Sequence, residues 1–206
     1  MALRSAPSFV RDAEWTGIPV WRYNMGMAIA IPRYTIEDLE SFPDDGNRYE
    51  LLDGILLVTP GAGRPHQIIA NRIQYRLTQA LELTGHAFVA GPGVVVRAPR
   101  TQLQPDILVT SSRFDPNIEW DKISEHWLAV EVLSRSSRVY DREFKRDAYF
   151  VLGVKQVWLV DRRARTIEVS VAPGPQEIVQ DTIRWRVPTL EVIVSISVDE
   201  VFSGLE

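Results

Sequence analysis

The sequence contains no cysteine among its 206 residues. Disulfide bridges, cysteine zinc sites and thiol nucleophiles are therefore excluded. No apolar run approaches the roughly 18–20 residues that a membrane-spanning helix needs, and the N-terminus lacks the apolar segment of a signal peptide. We therefore expect a cytoplasmic protein with no membrane partner.

An excess of basic residues is also missing. Lysine and arginine number 23 against 27 aspartates and glutamates, which gives a formal net charge of −4. Any nucleic-acid binding must therefore use a local basic patch. The 45% hydrophobic and 24% charged composition is typical of a globular protein. We expect an irregular N-terminal extension over residues 1–32, followed by a single domain over residues 33–206.

Helix and strand signals alternate along that domain. Thr35 and Asp38 form a capping pattern for a short helix, and Asp53 with Gly54 predicts a tight hairpin. A long helix is predicted between Pro65 and Gly85. Further strands are predicted at residues 88–90, 94–97, 106–110, 127–133, 156–160, 166–171, 183–187 and 190–196. This order predicts an α/β (α+β) domain with a mixed sheet.

Glu131 interrupts the apolar strand predicted at residues 127–133. Such a run predicts a strand that is covered on both faces. An ionised carboxylate there costs several kcal/mol unless a partner compensates its charge. The alternative is a glutamate at the strand end that reaches solvent or an arginine.

Asp106 stands at the head of another apolar strand. A Pro-Asp pair is also a common way to open a turn, so a structural role is the alternative. If the strands of Asp106 and Glu131 are neighbours, their side chains can lie about 5 Å apart. Two carboxylates at that separation need a cation, and Mg²⁺ takes one or two carboxylates together with water. That the two strands pair is an assumption.

A second helix is predicted over residues 137–152. Its apolar stripe is predicted from Tyr140, Phe144, Ala148 and Val151. Lys145 lies beside this stripe, in one row with Asp141 and Tyr149. A solvated pair with Asp141 is one interpretation of Lys145. The other places its ammonium over a metal site, where it would position water or stabilise developing charge.

Two further residues are candidates for the same site. His66 lies in the first turn of the long helix, where it is either a core histidine or a ligand or proton relay. Glu50 lies in a strand, where most glutamates face water. Basic residues that could contact a phosphate backbone cluster near the strands of Glu131 and Asp106. They are Arg135, Arg138, Arg142 and Arg146 in one cluster and Arg97, Arg100 and Arg113 in the other.

Several short motifs occur in a fixed order. They are Tyr-Glu-Leu-Leu-Asp-Gly at 49–54, His66, Pro-Asp at 105–106, Val-Glu-Val-Leu-Ser at 130–134, Asp141, Lys145, Tyr149, Gly-Val at 153–154 and Trp-Leu-Val-Asp at 158–161. The series resembles the Uma-two family of endonucleases, in the PD-(D/E)xK superfamily. The resemblance implies a restriction-endonuclease-like core in α-β-β-β-α-β order, a mixed sheet flanked by helices, with added hairpins.

The resemblance also implies roles for individual residues. Asp106 and Glu131 match the two metal ligands, Glu50 matches an additional acidic residue, and His66 matches the usual histidine position. The strand tripeptide reads Glu-Val-Leu at 131–133 and so lacks the superfamily lysine, for which Lys145 is the expected replacement. If Lys145 does not reach the strand end, the fold serves binding alone.

These expectations define one hypothesis and two alternatives. The hypothesis is a nuclease that hydrolyses DNA phosphodiester bonds with Mg²⁺, or with Mn²⁺ as a substitute, and that works as a homodimer. The first alternative is an inactive nucleic-acid-binding or interaction protein with the same fold. The second is a small-molecule phosphodiesterase that uses the same acidic pair.

Overall fold

The structure is a computed structural model that describes residues 31–134 and 141–205. Nearly all of the predicted N-terminal extension therefore lies outside the described residues, as do Arg135, Arg138 and Tyr140. The side chains of Asp141 and Glu143 are likewise not described. The elements that follow belong to one compact unit, Pro32–Glu206.

Four α-helices and twelve strands are found in the described residues. The helices are α1 (Ile36–Leu39), α2 (Arg64–Leu77), α3 (Arg146–Val151) and α4 (Val198–Phe202). A turn of π-helix continues α2 through Thr78–Glu82, another precedes α3 at Asp141–Lys145, and a 3-10 turn covers Trp120–Lys122. The strands are β1 (Asn47–Leu52), β2 (Ile55–Pro60), β3 (Ala87–Ala90), β4 (Val95–Arg97), β5 (Thr101–Leu103), β6 (Ile107–Ser111), β7 (His126–Val132), β8 (Val157–Asp161), β9 (Thr166–Ser170), β10 (Glu177–Val179), β11 (Thr182–Arg186) and β12 (Ile193–Ser197).

The strands form three sheets. The central sheet has six strands in the order β10-β9-β8-β7-β6-β3, in which β7 and β8 are parallel and all other neighbours are antiparallel. A second, antiparallel sheet has the order β2-β1-β5-β4, and β11 pairs with β12 as a separate hairpin. The predicted mixed sheet with added hairpins is thus confirmed.

The hairpin of β1 and β2 shows why the local sequence determines its turn. Asp53 and Gly54 have φ values of 49° and 78°, which are the positive values that a tight hairpin turn requires at both positions. A side chain at Gly54 would also bring its Cβ to 3.0 Å from the carbonyl oxygen of Tyr34. Asp-Gly therefore fixes the register of these two strands, as the sequence predicted.

Apolar residues cover both faces of the central sheet. Ile107, Val130 and Trp158 pack on one face, against α2, the β11–β12 hairpin and α4. Leu108 and Leu159 pack on the other, against Tyr149 of α3 and residues of the second sheet. Because both faces are covered, every residue of β6 and β7 is buried, including Glu131.

The predicted apolar stripe of the second helix is wrong at Phe144 and Val151. Phe144 is 50% exposed and Val151 is 61% exposed, whereas Lys145 and Tyr149 are buried. The physical reason lies in the sheet beneath, where carboxylates of β7 and β9 face the helix. Cationic and hydroxyl side chains therefore form its inner face.

Other differences from the sequence prediction concern short elements. The three-residue strands β5 and β10 were not predicted, and β3 and β4 belong to different sheets although only Gly91, Pro92 and neighbouring residues separate them. In the described part of the chain, no helix is both long enough and apolar enough to cross a bilayer.

Candidate active site

The strands that carry the two predicted metal ligands are neighbours. β6 and β7 pair antiparallel, with Ile107 opposite Val130. Asp106 precedes Ile107 and Glu131 follows Val130, so continuing the register by one residue places them opposite each other. Opposing residues project to the same face of a sheet. The assumption that their strands pair is therefore confirmed.

Asp106 is held by three donors. Nε2 of His66 lies 3.0 Å from its Oδ2, the backbone N–H of Val132 donates to the same oxygen at 2.8 Å, and Nη1 of Arg48 donates to Oδ1 at 3.1 Å. Burial alone would raise the pKa of Asp106, but His66, Arg48 and the Val132 amide together lower that pKa below its ordinary value. Asp106 is therefore an ionised carboxylate at the edge of the core.

Glu50 is fully buried in β1, which excludes the water-facing position that most strand glutamates have. The backbone N–H of Gln104 in the neighbouring segment donates to its Oε1 at 2.7 Å. Nζ of Lys145 donates to Oε2 at 2.7 Å, and Nε of Arg48 lies 3.5 Å from the same oxygen. This carboxylate therefore links the second sheet to the helical segment over the central sheet.

Glu131 and Lys145 meet in the interior. The hydroxyl of Tyr149 donates to Oε1 of Glu131 at 2.6 Å, and Nζ of Lys145 lies 3.4 Å from that oxygen. Lys145 is only 2% exposed, so the interpretation as a solvated surface pair is wrong. Burial and the charges of Glu131 and Glu50 raise the pKa of the Tyr149 phenol well above its ordinary value, so it remains a proton donor.

Arg48 was not among the residues predicted from the sequence. It bridges two of the acids, since Nη1 contacts Asp106 and Nε approaches Glu50. Burial lowers the pKa of Arg48, but the carboxylates of Glu131, Glu50 and Asp106 outweigh that effect and raise it. The available signal was its position two residues before Glu50, because residues i and i+2 of a strand project to the same side.

One connected network therefore unites all five predicted site residues with Arg48 and Tyr149. It runs from His66 through Asp106, Arg48, Glu50 and Lys145 to Glu131. Within the described residues, each of the three carboxylates of this network contacts Arg48 or Lys145.

Carboxylate oxygens are the donors that a hard divalent ion takes. Among the described side chains, no group of three or more histidine, aspartate or glutamate residues is arranged to hold a metal. Mg²⁺ does not need such a group, because it takes one or two carboxylates and keeps several waters. Asp106 and Glu131 are thus two carboxylates of the type that Mg²⁺ takes, and the register of their strands places them opposite each other.

A cleft of about 280 Å³ opens beside this network. Arg48, His66 and Asp106 line it, together with Ser134 just beyond β7. Its helical wall carries neutral amides of α2, among them Asn71. Of the predicted site residues, Asp106 and His66 border the cleft, whereas Glu50, Glu131 and Lys145 are buried. Asp106 is thus the carboxylate that solvent can reach.

Three described arginines of the two predicted basic clusters bind protein groups other than Asp106. Arg142 bonds Asp161 at 2.8 Å and also bonds Glu168, so it docks its helix on β8 and β9. Arg113 pairs with Glu125, and Arg97 donates to the backbone of the α3 segment. The guanidinium that contacts Asp106 is therefore that of Arg48.

The comparisons with known proteins agree with one another. A family model described as "Uma2: Putative restriction endonuclease" matches residues 36–199. The fold is also similar to a crystal structure described as "a putative nuclease belonging to DUF820 from Anabaena variabilis ATCC 29413", with a TM-score of 0.67 and 18% sequence identity. That match covers 82% of this chain and 97% of the other, and it shows that the restriction-endonuclease-like fold is shared. No curated protein matches the chain.

Proposed function

The chain belongs to the Uma2 family of nucleases. We propose that it hydrolyses phosphodiester bonds in DNA with a divalent metal ion. The observation that carries the proposal is the network that joins Asp106 to Glu131 through Arg48, Glu50 and Lys145. Such a concentration of buried charge is costly, and functional sites are where proteins retain it.

Asp106 and Glu131 are the residues that would hold the ion, Mg²⁺ or Mn²⁺. Two features support them, namely their opposing positions at one end of a strand ladder and the place of Asp106 on the wall of the cleft. When bound, the ion supplies Lewis-acid activation of the phosphate and of water. A phosphodiester is itself an anion, so the bound ion would also lower the electrostatic cost of placing it beside these carboxylates.

The reaction is a hydrolysis. The oxygen of water forms a bond to phosphorus while the bond from phosphorus to the leaving sugar oxygen breaks. The products are a phosphomonoester and an alcohol, and the alcohol oxygen gains the proton that water loses. His66 orients Asp106 through Nε2, and Tyr149 orients Glu131 through its hydroxyl. Both carboxylates are thereby held in fixed positions.

Lys145 contributes to the reaction indirectly, by holding the two acids that it contacts. Its ammonium pairs with both Glu50 and Glu131 within the core. The lysine that the superfamily carries in the strand is replaced by one that reaches the same strand end from the neighbouring helix. We extend the proposal to a homodimer, in which two such sites address the two strands of a duplex.

Nicking of supercoiled plasmid tests the proposal. We expect relaxed plasmid in the presence of Mg²⁺ or Mn²⁺, none with a chelator, and none from Glu131→Ala with an unchanged circular dichroism spectrum. Binding of DNA without nicking would instead support an inactive binding protein. Hydrolysis of a chromogenic phosphodiester without DNA cleavage would support a small-molecule phosphodiesterase, and either outcome contradicts the proposal.

A further inference from the structure

Arg48 is more accessible to solvent than Lys145, the other cation described in the network. It lines the cleft and its side chain is 23% exposed, whereas Lys145 is buried. Among the described cations that contact Asp106, Glu50 or Glu131, Arg48 therefore has the access to a molecule in the cleft. The guanidinium of Arg48 therefore borders the space that an anionic group beside Asp106 would occupy.

The hydrogen bonds of Arg48 leave part of its guanidinium available. Nη1 is committed, since it donates to the carbonyl of Gln104 at 3.0 Å and to Asp106 at 3.1 Å. Nε is buried and has no hydrogen-bond partner within the described chain. These contacts fix the plane of the guanidinium and leave Nη2 uncommitted to any described residue. A fixed, always charged donor is what recognition of a phosphate oxygen requires.

We propose that Arg48 is a catalytic residue that binds the non-bridging oxygens of the phosphate undergoing hydrolysis, a role that rests on the proposed nuclease function. Arg48 then supplies the direct stabilisation of transition-state charge, and Lys145 is a positioning residue that acts through Glu50 and Glu131. The contact of Arg48 with phosphate is direct, so it persists when no metal ion is present. Arg48 thereby joins the metal ligand Asp106 to the substrate.

The test uses the full chain with Arg48→Gln, and with Arg186→Gln as the matched control. Arg186 is an exposed arginine whose partner, Glu191, is also exposed. Binding of a short fluorescein-labelled DNA duplex is measured by anisotropy in EDTA over a series of salt concentrations. We expect Arg48→Gln to lower the slope of log affinity against log salt by about 0.9, the value for one lost phosphate contact. The control should keep the wild-type slope.

Cleavage of the same duplex with Mg²⁺ gives the second readout. We expect kcat to fall by about 100-fold in Arg48→Gln, the loss typical of a removed transition-state donor. Arg48→Lys keeps the charge but not the planar donor geometry, so it should recover only part of this loss. A folded Arg48→Gln protein with the wild-type salt slope overturns the proposal.

A second pair of variants guards against misfolding, because Arg48→Gln removes a cation that contacts buried carboxylates. In this pair Asp106 is also replaced, so that one of those carboxylates is absent. Asp106→Asn is compared in EDTA with and without Arg48→Gln, and the added substitution should again lower the slope by about 0.9. An unchanged slope in this background also overturns the proposal. A wild-type protein that binds DNA through Arg48 but never cleaves it contradicts the proposed nuclease function and the catalytic role of Arg48, and it supports phosphate binding by Arg48 alone. One that does not bind DNA contradicts both.

Discussion

The ammonium of Lys145 lies 2.7 Å from Oε2 of Glu50, and the two residues are 95 positions apart in the sequence. This pair joins the segment over the central sheet to the second sheet, and the same ammonium lies 3.4 Å from Glu131. A lysine held between two buried acids explains why a polar helix face packs inward. It also makes the stability of the fold and the chemistry of the site depend on the same side chain.

Replacing Lys145 by methionine should destabilise the protein strongly. The side chains have similar length, but the variant leaves Glu50 and Glu131 buried without their shared cation. Breaking a buried ion pair in this way costs about 3–5 kcal/mol, which urea denaturation would measure. Adding Glu50→Gln to Lys145→Met should recover part of the loss, because one uncompensated charge is removed. A loss below about 1 kcal/mol for Lys145→Met would contradict the assignment.

Arg142→Met is the matched control for Lys145→Met. Arg142 belongs to the same helical segment and also pairs with buried acids, Asp161 and Glu168. We expect a lower free energy of unfolding in this variant too, with DNA cleavage retained under conditions where the protein is folded. Lys145→Met should instead lose cleavage. Equal cleavage in the two variants would show that Lys145 matters for folding alone.

Tyr149→Phe should remove the hydrogen bond that the phenol donates to Glu131, and with it one very weakly acidic group. Loss of a hydrogen bond to a charged group costs about 1.5–3 kcal/mol. Because burial and nearby carboxylates raise the pKa of this phenol, Tyr149 should stay protonated in the folded protein above pH 10. Ultraviolet titration of the folded wild type and of Tyr149→Phe should therefore give the same number of ionising tyrosines near pH 10. An additional tyrosinate in the wild type would be inconsistent with the buried contact.

Asp106→Asn should change how the free energy of unfolding depends on pH. His66, Arg48 and the Val132 amide lower the pKa of Asp106 in the folded state below its ordinary value of 3.8. The unfolded chain therefore binds this proton first, and the stabilisation is present above about pH 3.8 and lost as the pH falls through the lower, folded-state pKa. The difference in unfolding free energy between the wild type and Asp106→Asn should shrink over that range.

The exposed Asp44→Asn serves as the control for this measurement, since Asp44 lies outside the network. Its stability should follow that of the wild type as the pH is lowered. If Asp106→Asn and Asp44→Asn show the same acid dependence, Asp106 is not held by the contacts described.

The sequence predicted those parts of the fold that local chemistry determines. Asp53 and Gly54 specify their turn because few residues accept positive φ at both positions. The apolar run around Glu131 predicted a strand covered on both faces, which is what β7 is. The odd placement of Glu131 and Asp106 in apolar strands was itself the signal for a site.

The remainder depends on contacts between distant segments. The apolar periodicity of the second helix predicted Phe144 on the inner face. Periodicity within a helix carries no information about the surface that the helix packs against, which here bears carboxylates. Lys145 and Tyr149 face that surface because Glu131 and Glu50 supply partners for them. Arg48 was missed for the same reason, since its pairing with Asp106 spans 58 positions.

A crystal structure of the protein soaked with Mn²⁺ would show whether Asp106 and Glu131 hold the ion together. We expect one anomalous peak within bonding distance of a carboxylate oxygen of Asp106 and of Glu131, with the ammonium of Lys145 still bonded to Glu50. A peak at some other group of acids, or none between these two carboxylates, would contradict this expectation.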